Sequence, residues 1–230
     1  MEHERLCADL ARRLGHEFAD PSLLVRALTH RSFTADNNER LEFLGDALIS
    51  VVIAELLFRQ RPKESEGALS RLRSSLVRER ALAGVARRLD LGEALLIGEG
   101  ERKSGGWRRD SVLADALEAV IAAVYLDSGF GQVSKVCHAL FAPELKNLPD
   151  AESLKDAKTR LQEWLQARNR PLPIYEVISE SGPAHRRSFS VRATVADTDG
   201  EALATAASRR TAEQQAARVL LAQLTDADAS

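Results

Sequence analysis

Four carboxylates lie in two apolar stretches of this chain, where acidic side chains are costly. Glu42 and Asp46 interrupt one run of apolar residues, and Asp115 and Glu118 interrupt another that is rich in alanine. Spacings of four and three residues place each pair on one face of a helix. Two carboxylates about 5–6 Å apart repel each other by roughly 3 kcal/mol at an effective dielectric constant of about 20. We therefore interpret these residues as functional.

The side-chain types indicate a divalent-cation site if the two helices bring the carboxylates together. Carboxylate oxygens without Cys or His favour Mg²⁺, for which Mn²⁺ can substitute. Such ions can supply a nucleophile and stabilise phosphodiester oxygens during hydrolysis. A di-iron bundle expects a Glu followed three residues later by His, and this chain has none. The alternative is a purely structural role, in which each carboxylate pairs with an arginine such as Arg40.

The helix that carries Glu42 and Asp46 is predicted to extend to Phe58 and to be buried on most sides. Asn37 or Asn38 can cap its start, because a short polar side chain accepts a free N–H. Apolar residues recur at helical spacing on two adjacent faces. These residues are Leu41, Leu44, Leu48 and Val52 on one face and Phe43, Ala47 and Val51 on the other.

Gly45 lies within this helix, where glycine costs about 1 kcal/mol relative to alanine. The expected compensation is a second helix that passes very close. The second acidic helix suits that role because its small side chains permit a close approach. We predict this helix over residues 112–127, capped by Asp110 or Ser111 and ended by Gly129.

Between the two acidic helices, the pattern predicts one long amphipathic helix from Leu69 to Leu89 with a basic outer face. Residues 98–106 are predicted to form a loop, which is basic toward Arg109 and has Trp107 beside it. This loop can hold a phosphate backbone. It is equally compatible with a solvated connector.

The composition changes near residues 148–155, which we interpret as a linker between domains at 3–148 and 155–225. The first domain is predicted to be all helical. The second is predicted as a small αβββα (α+β) domain with an antiparallel sheet, which makes the chain mostly α. The formal net charge is −3 over residues 1–154 and +3 over 155–225, so the second domain is the basic one.

Composition excludes several classes of protein. The chain has 230 residues, of which 44% are hydrophobic and 29% charged, and its net charge of −2 gives no global nucleic-acid signal. Cys7 and Cys137 form no CxxC pair, so neither a zinc site nor a disulfide framework is expected, and free thiols fit the cytoplasm. The N-terminus lacks a signal-peptide pattern, and no segment is apolar enough to span a membrane.

The second domain contains residues suited to RNA. Arg209 and Arg210 stand where the last helix is predicted to begin, and a helix N-terminus with two arginines favours phosphate. His185 in a turn and three residues of the domain's first helix offer hydrogen bonds to 2′-hydroxyls, which distinguish RNA from DNA. Those three are Thr159, Gln162 and Glu163. Each residue taken alone is equally compatible with an ordinary exposed side chain.

Several motifs resemble those of bacterial ribonuclease III. Residues 38–46, NERLEFLGD, resemble the family signature, and KSGG at 103–106 with LADALEA at 113–119 matches its second block in order and spacing. TRLQEWL at 159–165 and RRTAEQQAA at 209–217 resemble its double-stranded-RNA-binding domain. The resemblance covers nearly the whole chain, and the signature is highly specific.

The resemblance implies a homodimer that uses Mg²⁺ to cut double-stranded RNA, leaving 5′-phosphates, 3′-hydroxyls and short 3′ overhangs. It implies that Asp46 and Glu118 act most directly in catalysis, and that Glu39 and Glu66 are auxiliary acidic residues. It also implies processing of ribosomal RNA precursors and of some messenger and transfer RNAs. The implied metal ligands are Glu42, Asp46, Asp115 and Glu118.

Ala204 and Ala206 depart from the family pattern, which often has Gly before the basic helix start. Two alternatives to a nuclease stay open. One is a non-catalytic double-stranded-RNA-binding protein with a decayed nuclease domain, which the presence of all the carboxylates disfavours. The other is a helical interaction protein whose acidic pairs are structural.

Overall fold

The computed structural model describes residues 2–183, 186–198 and 200–228. The chain divides into two units, Met1–Glu152 and Ser153–Ser230. Helices build the first unit, and a three-stranded sheet with two helices builds the second, which confirms the predicted fold class. No helix within the described residues is long and apolar enough to cross a membrane.

The first unit has a central pair of helices surrounded by shorter ones. Asp20 accepts the backbone N–H of Ser22 at 2.9 Å, and Pro21 takes the first helical position, so the start of the second helix follows the expected capping chemistry. The helices are α1 (Glu2–Leu14), α2 (Pro21–Ala27), α3 (Glu39–Gln60), α4 (Glu66–Val77), α5 (Glu79–Arg88), α6 (Leu91–Ala94), α7 (Glu99–Lys103) and α8 (Asp110–Lys146), with a 3₁₀ turn at Gly106–Arg108.

Helices α3 and α8 cross at Gly45. A Cβ atom built on Gly45 would lie 1.9 Å from the backbone oxygen of Glu118, so no side chain larger than hydrogen fits there. Ala119, Ala122 and Ala123 on α8 are fully buried and allow this approach. The predicted close contact between the two acidic helices is therefore confirmed.

The predicted helix from Leu69 to Leu89 is wrong in its continuity. Arg78 adopts an extended backbone conformation (φ −66°, ψ 148°), which separates α4 from α5. Both pieces bury apolar residues, for example Leu72 and Leu82, so the apolar repeat continues across the break. Hydrophobic spacing detects the buried faces but cannot detect a single extended residue between them.

The boundaries of α8 also differ from the prediction. The helix begins at Asp110 with Arg109 as its N-cap, and neither Asp110 nor Ser111 caps it. Gly129 leaves the helical conformation (φ 75°, ψ −179°), as expected, and a second helical segment follows it as far as Lys146. The glycine therefore produces a kink, because a residue without a Cβ adopts a positive φ at little cost.

The expectation that α3 is buried on most sides is wrong for one face. Phe43 is 82% exposed, Val51 is 55% exposed and Phe58 is 71% exposed. Their spacing places them, with Ala47, on one side of the helix. We call these four residues, Phe43, Ala47, Val51 and Phe58, the α3 apolar face. All four are exposed, whereas the residues on the opposite face of α3 are buried. Nothing in the described part of the first unit covers the α3 apolar face.

The second unit has the predicted αβββα order. Its strands lie in the order β1-β2-β3, and each neighbouring pair is antiparallel. The two helices cover one face of the sheet around a core that includes Leu161, Ala193 and Leu220. The elements are α9 (Ala157–Gln166), β1 (Ile174–Ser181), β2 (Ser188–Thr194), β3 (Glu201–Ala206) and α10 (Arg209–Asp228).

Candidate active site

The crossing of α3 and α8 gathers carboxylates from both helices. Glu42 lies three residues before the Gly45 contact, and Asp115 lies three residues before Glu118. One oxygen from each of Glu42, Asp115 and Glu118 lies within 4.8 Å of the others. This acidic cluster is partly buried, so its charges are poorly screened by water.

Asp46 belongs to the same region but not to that group of three. Its side chain is exposed, whereas the three clustered residues are partly buried. Its negative charge still raises the pKa of both Glu118 and Glu42. The structure therefore brings three of the predicted ligands within 4.8 Å of one another and leaves the fourth outside that group.

The clustered carboxyl groups hold their protons unusually strongly. Burial first, and then the charges of Asp46, Asp115 and Glu42, raise the pKa of Glu118 from 4.5 to about 8. Burial and Asp115 raise the pKa of Glu42. Burial and the charge of Glu79 raise the pKa of Asp115. Burial is the largest cause of all three shifts, and neighbouring negative charges add to it.

Within the described part of the chain, no Lys or Arg forms an ion pair with any of the four carboxylates. Arg40, the partner considered above, pairs with none of them there. Unpaired, partly buried carboxylates repel one another unless protons or cations intervene. Hard oxygen donors from two rigid helices fit a divalent cation, and Glu42, Asp115 and Glu118 would hold it.

We expect the metal-free protein to lose stability as the pH rises from about 4.5 to about 8. The folded state raises the pKa of Glu118, so the folded protein binds this proton more strongly than the unfolded chain does. That stabilisation is complete below 4.5 and is lost as the pH rises through about 8. Thermal unfolding of the wild type and Glu118→Gln in EDTA should therefore give melting temperatures whose difference changes over this range. A constant difference would contradict the shift.

A cavity of about 440 Å³ opens beside the acidic cluster and shares Glu42 and Asp115 with it. The sequence patterns described above did not identify Arg31 as a site residue, although a basic residue next to a histidine and a serine was a usable signal. We call this space the His30 cavity. Its polar and charged lining comprises His30, Arg31, Ser32, Asn38, Glu39, Glu42, Glu101, Arg109, Ser111 and Asp115.

The segment predicted as a basic loop at 98–106 is partly helical, since it contains α7. Its cations contact the protein itself: Arg102 donates to the backbone oxygen of Leu95 at 3.2 Å, and Lys103 pairs with Glu99. Beyond the segment, Arg108 stacks on the Trp107 ring at 4.1 Å. Each of these three groups therefore already has a partner within the first unit.

The two auxiliary acidic residues occupy different surroundings. Glu39 lines the His30 cavity and pairs with Arg31 at 3.3 Å, while its backbone N–H donates to Asn37. Asn37, not Asn38, thus supplies the side-chain bond at the start of α3. Glu66 begins α4, where its carboxylate accepts the Ser70 hydroxyl at 2.8 Å, and it lies outside the acidic cluster.

In the second unit, the starts of α9 and α10 are joined by charged contacts. Lys158 pairs with Glu213 at 2.7 Å, and Glu213 also accepts from Arg209 at 2.8 Å. Asp156 caps α9 by accepting the backbone N–H of Thr159 at 3.0 Å, and it also accepts from Gln214 at 2.9 Å. Two helix ends and the groups on them are thereby held in one arrangement.

The other predicted RNA-binding residues that the structure describes lie on α9 and α10. Gln162 and Glu163 are exposed on α9, and Glu163 pairs with Lys155. Arg210 is exposed on the first turn of α10. His185 lies outside the described residues.

Comparisons with known proteins match both units. Residues 20–145 match the family model described as ribonuclease-III-like. Residues 157–224 match the double-stranded RNA binding motif.

The chain is similar to curated proteins over most of its length. It is 54% identical to Ribonuclease 3 of Xanthomonas axonopodis pv. citri over 92% of this chain and 93% of that protein. It is 53% identical to Ribonuclease 3 of Delftia acidovorans over 91% of this chain and 92% of that protein. Among solved structures, the nuclease domain of ribonuclease III from Campylobacter jejuni matches with a TM-score of 0.58 and 44% identity, over 59% of this chain and 95% of that one.

Proposed function

The chain belongs to the ribonuclease III family, and we propose that it uses Mg²⁺ to cut double-stranded RNA into products with 5′-phosphate and 3′-hydroxyl ends and short 3′ overhangs. Membership makes it an endoribonuclease specific for double-stranded RNA. We assign cleavage to residues 3–148 and double-strand binding to residues 155–225. The observation that carries the proposal is the meeting of Glu42, Asp115 and Glu118 at one helix crossing.

We propose four metal ligands in this site, with Asp46 and Glu118 acting most directly in catalysis. The clustered oxygens and their raised pKa values support a cation of hard character, Mg²⁺ or in its place Mn²⁺. Such an ion supplies charge stabilisation and a bound water for phosphodiester hydrolysis. Glu39 and Glu66 are assigned auxiliary acidic roles beside the cleaved strand. The ligands are Glu42, Asp46, Asp115 and Glu118.

The RNA-binding role is assigned to groups on α9 and α10 and in the β1–β2 turn. The start of α10 combines free backbone N–H groups, a positive dipole end and two exposed arginines, which suits a phosphate. The contacts of Glu213 and Asp156 orient this helix end relative to α9. The assigned residues are Thr159, Gln162, Glu163, His185, Arg209 and Arg210.

We infer that the natural substrates are ribosomal RNA precursors and some messenger and transfer RNAs, processed in the cytoplasm. This inference rests on the similarity to Ribonuclease 3 proteins. The free Cys7 and Cys137 suit a reducing compartment.

We also propose that the protein is a homodimer formed through the α3 apolar face. A contiguous apolar face on a helix of the first unit is typical of a surface that another molecule covers. In a twofold dimer the same patch on both copies makes the contact. The similar nuclease domain from Campylobacter jejuni is described as having structural flexibility in a region involved in its dimer formation, which supports a dimer here.

Phe43→Asp is expected to weaken the dimer about a hundredfold, because it removes one large apolar side chain and adds a charge. Phe43 is 82% exposed in the single chain, so the monomer itself should fold normally. Sedimentation velocity over a range of concentrations measures the effect. The same change at Leu172, an exposed residue of the second unit, is the matched control. A Phe43→Asp protein as dimeric as the wild type would refute the interface.

The proposed function is tested by cleavage of a long RNA duplex and of the same strands unannealed, each with Mg²⁺ and with EDTA. Cutting is expected only for the duplex and only with the cation, and the ends of the products are then identified. Binding of the duplex without cleavage would favour the non-catalytic double-stranded-RNA-binding alternative. Absence of both would favour a helical interaction protein.

A further inference from the structure

The His30 cavity has one wall that is fixed by backbone contacts. His30 donates its backbone N–H to Leu96 at 2.9 Å, and Gly98 donates its backbone N–H to the Ser32 hydroxyl at 2.9 Å. A Cβ atom on Gly98 would lie 2.3 Å from the backbone oxygen of Ser32, so only glycine permits this approach. The segment from His30 to Ser32 is therefore held in place before any ligand arrives.

Two arginines from separate parts of the first unit face this cavity. Arg31 comes from the fixed wall, and Arg109 is the N-cap of α8. After burial, the charges of Arg31 and Arg109 are the largest influences that lower the pKa of His30, which means that both act on one place. With the proposed cation bound to Glu42 and Asp115, two guanidinium groups converging on this cavity suit an anion with several oxygens.

Each arginine forms an ion pair with a carboxylate that lines the same cavity. Arg31 pairs with Glu39 at 3.3 Å, and Arg109 pairs with Glu101. Both arginine side chains remain more than half exposed, so they can turn toward an incoming anion without leaving a buried position. The carboxylates thus hold the cations near the cavity, and a phosphate oxygen would replace them as acceptor.

We propose that the His30 cavity is a subsite for one backbone phosphate of the RNA strand, held by Arg31 and Arg109. The cavity shares Glu42 and Asp115 with the acidic cluster, so the phosphate it holds lies beside the one that is cleaved. Ser111 supplies a hydroxyl donor among its lining residues. The subsite deepens the proposed function, on which it rests, because it positions the strand relative to the carboxylates.

The test measures binding with single phosphate charges removed. In the full-length Glu118→Gln protein with Mg²⁺, a fluorescent RNA hairpin is titrated by anisotropy, and each linkage in turn is replaced by a neutral methylphosphonate. Replacing one particular linkage is expected to weaken binding about tenfold, which is the effect of losing one charged hydrogen bond. The double variant Glu118→Gln, Arg109→Gln should bind the unmodified hairpin about tenfold more weakly. Replacing the same linkage should then weaken its binding no further.

Glu101→Gln is the matched control. It breaks the same ion pair but keeps the guanidinium group, so replacing the linkage should still weaken binding about tenfold. A purely structural role for the ion pair would instead make Glu101→Gln and Arg109→Gln behave alike. Arg109→Gln should also reduce the slope of log affinity against log salt concentration by about 1, the contribution of one phosphate contact.

The linkage profile of a protein is the set of affinity changes that follow replacement of each linkage in turn. Identical linkage profiles in the proteins with and without Arg109 would overturn the subsite. If the wild type cleaves the duplex and the profiles are identical, the subsite fails alone. If the wild type does not cleave, the proposed function fails, and the linkage profiles still decide whether Arg109 holds a phosphate.

Discussion

Replacing Glu118 with glutamine is expected to slow cleavage of double-stranded RNA about a thousandfold while RNA binding is retained. The substitution keeps the size of the side chain but removes the negative charge that a divalent cation requires. Glu118 has the most strongly raised pKa of the cluster, about 8, because burial and three other carboxylates act on it. Binding should survive because the RNA-binding motif lies in the second unit.

Single-turnover cleavage and anisotropy with an uncleaved duplex measure the two effects separately. Glu144→Gln is the control on the same helix, since Glu144 pairs with Arg88 at 2.6 Å outside the acidic cluster. That variant should cleave at the wild-type rate. Mg²⁺ should also raise the melting temperature of the wild type and raise that of Glu118→Gln much less. Near-normal turnover in Glu118→Gln would remove the catalytic assignment.

Gly45→Ala is expected to destabilise the first unit by about 3 kcal/mol, although alanine favours helices more than glycine does. The added Cβ would lie 1.9 Å from the Glu118 backbone oxygen, so α3 and α8 must separate. This separation moves Glu42 away from Glu118. A displacement near 1 Å in an active site costs about a hundredfold in rate. A melting temperature lowered by about 5–10 °C and a matching loss of cleavage are therefore expected.

Gly84→Ala is the matched control for Gly45→Ala. Gly84 also lies within a helix, α5, but a Cβ atom there meets nothing within 4 Å. Removing glycine should then stabilise the protein by about 1 kcal/mol. Thermal unfolding of both variants should shift the melting temperature in opposite directions. Equal shifts would mean that the α3–α8 contact is not the constraint inferred from the structure.

Local sequence patterns predicted the parts of this fold that depend on neighbouring residues. The order of elements in the second unit follows from strand and helix periodicity. The continuous helix predicted from Leu69 to Leu89 was wrong, because an extended Arg78 leaves the apolar repeat unchanged. The expected burial of Phe43 was wrong within the chain, because periodicity identifies an apolar face but not the molecule that covers it.

The sequence by itself determined the chemistry available to this protein: which acidic residues stand in apolar helices, that Gly45 needs a close neighbour, and which family motifs are present. Only the tertiary structure decided which of those groups meet. It gathered Glu42, Asp115 and Glu118 and left Asp46 at their edge, and it brought Arg31 and Arg109 to one cavity. The reason is physical: distances between segments far apart in the chain depend on how helices cross and pack, and side-chain spacing along one helix carries no information about them.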